Sequence, residues 1–139
     1  MVVVTMAQIR TDLAARAAVD TTLNTYPTIP ETVESPAFYV GLQQGISYES
    51  SYGPTGAVIT FACVLVVSAV DADEAVTLLD LYVDPTRGSK AMKVLLEDQA
   101  VSNTGSIAWI VVKTSSEPGT VSFDNTEYLA VEFIAEVHV

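Results

Sequence analysis

The chain has 139 residues, half of them hydrophobic, with 17 acidic against six basic side chains and a formal net charge of −11. These figures predict one domain that buries about two-thirds of its unfolded surface, and they exclude intrinsic disorder. So acidic a surface repels phosphate backbones, which argues against nucleic-acid binding, and no apolar run reaches the roughly 18–20 residues of a membrane helix.

In chain order, the opening MVVVTMAQIR has no basic region ahead of an apolar one and does not read as a signal peptide. Met6 stands directly before the first helical pattern, so residues 1–5 are expected to form a loose leader. A helix is predicted over residues 6–23, with Ile9, Leu13, Ala17 and Val19 in its apolar stripe and Arg10, Asp12, Arg16 and Asp20 outside it. Residues 24–36 hold three prolines and read as an extended connector. A strand over 37–42 follows, and Gly45 with Ile46–Tyr48 suggests a turn or bulge before a short continuation. Residues 50–56, SSYGPTG, form a loop tip, because two glycines around a proline do not fit inside a sheet.

The stretch from Val58 to Val70 is rich in β-branched and aromatic residues, with a nearly unbroken apolar run from Phe61 to Val67, and reads as a strand buried on both faces. At about 45 Å it would overhang a globule of roughly 37 Å diameter, so either it is broken by a bend or its hairpin with the preceding strand projects to meet another chain. Asp71, Asp73 and Glu74 then mark a helix start, and Ala75, Leu78, Leu79 and Tyr82 its buried face. The helix ends near Asp84–Pro85. Ser89 is expected to cap a short helix over 90–98 with Ala91, Val94 and Leu95 inward. A strand over 107–114, apolar on both faces, is expected to be internal. In the last strand, 129–139, Val131, Phe133, Ala135, Val137 and Val139 face the core, while Glu132, Glu136 and His138 share the wet face. The fold class expected is α+β: a small, mainly antiparallel or mixed sheet of about four strands, with an N-terminal helix and two central helices packed on it.

Catalytic chemistry finds no foothold. Gly88-Ser89-Lys90 has the wrong order for a phosphate loop. The single cysteine, Cys63, lies in an apolar strand as an inert thiol, and the single histidine, His138, reads as a surface residue. The carboxylates of Asp71, Asp73 and Glu74 are explained by the helix start rather than by a cation. No catalytic, cofactor-binding or metal residue is expected, and no enzymatic activity.

Four stretches carry a resemblance: AQIRTDLAARAAV, SPAFYVGLQQGISYESSYGPTG, LLDLYVDPTRGSKAMKVLLED and EYLAVEFIAEVHV. Together they resemble the tail terminator (tail completion) proteins of long-tailed siphophages, particularly those of actinobacterial hosts. The likeness lies in the order and pattern of elements from about residue 6 to 139, not in a sharp motif. It implies a structural virion protein that forms a hexameric ring on the head-proximal end of the tail tube. Such a ring ends polymerisation of the major tail tube protein and meets the head-side connector or stopper protein, while DNA passes its lumen without specific binding. Tyr48, Glu49, Tyr52, Gly53 and Pro54 are the candidate contact to a neighbouring subunit or the tube, and Arg87, Lys90 and Lys93 a candidate charged interface. Another connector or tube subunit, or a small-ligand-binding α+β domain, are the alternatives.

Overall fold

The strand Val58–Ser68 (β3) is the axis of the molecule, hydrogen-bonded on both sides and almost wholly buried. The structure is a computed structural model, and it describes residues 5–48, 57–70, 72–84, 86, 91–98 and 109–139. The fold is α+β, as expected: a mixed sheet of six strands, where about four were expected, and three helices. Asn24–Tyr26 (β1) pairs parallel with Ala37–Ser47 (β2), and β2 runs antiparallel to β3. Thr126–His138 (β6) lies antiparallel on the far side of β3. Its outer edge is shared end to end by Trp109–Ser115 (β4) and Gly119–Phe123 (β5).

β3 does not overhang. Its 11 residues are matched by β6 from Val58↔His138 to Ser68↔Tyr128, and β2 accompanies it to the Ser47↔Val58 pair. The sheet extends as far as the strand does, and the loop tip at 50–56 lies outside the described residues. β2 keeps pace through register shifts between Val40 and Gln43 and between Gln43 and Gly45, where the sequence suggested a bulge. Gly41 sits in this irregular stretch because a Cβ there would lie 2.9 Å from the carbonyl oxygen of Ala62.

Helices Met6–Ala17 (α1), Ala72–Val83 (α2) and Met92–Glu97 (α3) contribute to one core with one face of the sheet. Ile9, Leu13 and Ala17 of α1, and Ala75, Leu79 and Tyr82 of α2, meet Phe61, Leu65, Phe133 and Val137 there, as the periodicities require. Phe61 is fully buried, and its loss to alanine would remove about 3–5 kcal/mol. α1 starts at Met6 as expected, where Thr5 and Gln8 close a capping box, but it ends at Ala17 instead of residue 23, leaving Val19 exposed. Thr5 is therefore part of the helix cap, not of a leader.

Three further expectations are corrected. Residues 24–26 are a strand rather than connector, since the Asn24 amide donates to the Pro36 carbonyl at 3.0 Å and its side chain donates to the Glu34 carbonyl at 2.9 Å. α3 begins after Ala91 with no side-chain cap, and Ala91, Met92, Leu95 and Leu96 point inward while Val94 is exposed. β4 is an edge strand, paired with β6 alone. At the other end of this edge, Asp124 and Asn125 adopt φ of 49° and 62° and join β5 to β6 through a tight hairpin.

Candidate assembly surface

The two faces of the sheet differ in kind. The core on the helical face draws on all three helices, whereas the cluster on the opposite face, Val33, Ala37, Tyr39, Val66 and Phe123, contains no helical residue. Alternation along β6 sends Glu132, Ile134, Glu136 and His138 to that second face, all partly exposed, as the pattern of 129–139 predicted. Thus this face carries half-buried apolar side chains interleaved with two carboxylates. Glu132 makes itself felt on its neighbours: burial first, and its negative charge second, raise the Tyr39 hydroxyl above its usual pKa. The same two causes push the Cys63 thiol up to about 12. Cys63 is fully buried, an inert thiol as read from sequence.

At one end of this face, His138 stacks on Trp109 with ring centroids 4.7 Å apart and planes 24° apart. Its Nε2 lies 3.9 Å from Glu136 Oε1, and its buried Nδ1 has no hydrogen-bond partner among the described residues. Sequence alone left His138 as a plain surface residue; the register pairing of Trp109 with His138 explains its burial.

The sheet edges differ as well. On β4, Glu97 Oε2 accepts from the Val112 amide at 2.8 Å. Lys93 Nζ donates to the same Glu97 oxygen at 2.6 Å and reaches the Val112 carbonyl at 3.4 Å. An α3 side-chain pair thereby occupies the edge groups that another strand would use. Lys93, a candidate interface cation, is engaged inside the molecule, while Arg87 and Lys90 lie outside the described residues. Of the candidate contact residues, Tyr48 is described and is 74% exposed at the end of β2; Glu49, Tyr52, Gly53 and Pro54 lie outside the described residues.

Two hollows lie on the described surface. One, of about 660 Å³, lies between Val67–Val70 and α2 and is lined by Leu78 and Leu81 with Asp73 and Glu74. The other, of about 220 Å³, lies on the helix-free face beside Tyr39, Val121 and Glu132. Among the described residues no group of His, Cys, Asp and Glu is arranged to hold a metal ion, and no helix is long and apolar enough to cross a membrane.

Buried polar groups that the sequence reading placed outside are structural. Asp12 and Arg16 pair at 2.9 Å, and Asp20 accepts from the Tyr82 hydroxyl at 2.6 Å. All four residues are buried. The signal for the first pair was its i, i+4 spacing. No family model matches this chain, and no curated protein matches its sequence.

Proposed function

We propose that the protein is a structural subunit of a phage tail terminator ring, capping the head-proximal end of the tail tube, halting tube polymerisation and joining the tail to the head-side connector. The observation that carries this reading is the two-faced sheet: three helices on one side, and on the other a face that no helix covers among the described residues, bearing Glu132 and Glu136. In a ring with that face inward, carboxylates line the channel and repel passing DNA. The net charge of −11 acts in the same sense. The sequence resemblance supplies the hexamer, the virion location and the tube partner.

The test is negative-stain microscopy of the protein mixed with polymerising tail tube protein. Tubes of limited length carrying a cap at one end are the expected result, and tubes that grow unchecked and uncapped would overturn the reading. Long homopolymers of the protein itself would instead assign it as a tube subunit. The α2 groove of about 660 Å³ is the observation that favours a ligand-binding domain, and a small molecule that saturably raises the melting temperature would support that second reading.

A further inference from the structure

Edge strands ordinarily carry charge, proline or a covering element that stops them pairing with another chain. The β4 edge has such a guard in Lys93 and Glu97. Two other edge stretches carry no charge and no covering strand among the described residues, although that of β2 is bulged. β1 covers β2 only from Ala37 to Tyr39, after which Pro27 cannot continue the ladder, so no described strand pairs with the outer edge of β2 from Gly41 to Ile46. Leu42, within that stretch, is 72% exposed. On the opposite side of the sheet, β5 pairs with β6 alone. Neither stretch contains a charged residue, in a chain whose copies otherwise repel one another through a net charge of −11.

We infer that the outer edge of β2 in one copy takes β5 of a second copy as an added strand. The lengths agree, six residues of open edge against five of β5. The directions agree too. β2 is antiparallel to β3, β3 to β6 and β6 to β5, so β2 and β5 run oppositely, and a neighbour turned about a common axis presents β5 antiparallel to β2. Because the two edges lie on opposite sides of one sheet, the contact is head to tail, the kind that closes a ring or extends a filament instead of stopping at a dimer. Gln43 lies opposite Phe61, which pairs with Ala135, whereas Val121 pairs with Tyr128. This offset of seven residues along β6, about 24 Å, staggers successive copies along the strands, as closed sheets require. The pairing deepens the ring reading and rests on it for closure.

Cysteine crosslinking tests it. Leu42→Cys, Gln43→Cys or Gln44→Cys is combined with Thr120→Cys, all at exposed positions, in the full chain with and without tail tube protein. Buried Cys63 stays out of the reaction. The expected result is a ladder of disulfide-linked oligomers from at least one double variant and from none of the single ones. Leu42→Lys, which restores a charge to the edge, should abolish the ladder while leaving the circular dichroism spectrum unchanged. No ladder from any double variant, whether the tubes are capped or not, would overturn the pairing. So would a full yield of dimer from a β2 single variant, which would mean a two-fold β2–β2 contact. A ladder with tubes that grow unchecked would support the strand exchange and remove the tail reading.

Discussion

Arg16 lies fully buried with its Nε 2.9 Å from Asp12 Oδ2 and its Nη1 2.8 Å from the carbonyl oxygen of Leu96, so a cation of α1 closes the C-terminal end of α3. That end would otherwise leave carbonyls without partners. Arg16→Met takes the cation from a buried carboxylate, and Asp12→Leu takes the anion from a buried guanidinium. Each is expected to destabilise the fold by about 3–5 kcal/mol, and the double replacement by far less, because removing both charges removes the desolvation penalty. Urea denaturation of the three variants measures this; equal losses for the double and single variants would show that the pair acts through packing alone.

Tyr82 and Cys63 make stability sensitive to alkali. Burial chiefly, then the hydrogen bond to Asp20, pushes the Tyr82 hydroxyl up to about 12, and Cys63 stands at about 12 as well. Both are neutral in the fold and ionise earlier in the unfolded chain, at about 10 and 8.5. Their contribution is complete below about pH 8.5 and is lost as pH rises towards 12. The melting temperature is expected to fall across that window. Tyr82→Phe should reduce the slope above pH 10, and an unchanged slope would reject its part in it.

The β3, α2 and β6 elements were legible because each spans several periods of one pattern, so single exceptions do not blur it. β1, three residues long, takes its strand character from the neighbouring β2 backbone, which no local pattern announces. β5 had a cue in Asp124-Asn125, residues that tolerate positive φ. Arg16 and Asp12 were misplaced because a helical wheel assigns charge to solvent, whereas their partners are each other and a carbonyl 80 residues on. The candidate surface was half legible: the alternation of β6 showed the carboxylate face, but edge exposure depends on where β1 stops and where α3 docks.

Glu97 holds the β4 edge closed by accepting the Val112 amide. Glu97→Ala is expected to lower stability by only about 1–2 kcal/mol, since the groups are partly solvated. Its larger effect should be new, concentration-dependent self-association through the uncovered edge. Sedimentation velocity over a range of concentrations checks this, with Glu97→Gln, which keeps an acceptor oxygen, staying close to the parent protein. Association equal in both variants would mean that charge, not edge closure, is what Glu97 supplies.

Glu132 and Glu136 share the helix-free face with Ile134 between them and lie four residues, about 13 Å, apart along β6, so they place two carboxylates on one stretch of that face. If that face lines a channel, reversing them should leave the outer contacts, and hence tube capping, intact while changing what the channel does to DNA. Glu132→Lys with Glu136→Lys replaces two repelling charges by two attracting ones, a change of four per chain that a ring multiplies by its subunit number. Caps made from the variant are expected to retain double-stranded DNA at low salt and release it as salt rises, where the parent caps retain none. Gel retardation of DNA by capped tubes across a salt series measures the difference. Caps that form normally yet bind no DNA in the variant would place this face away from the channel, and the ring would then have to be turned to present another surface inward.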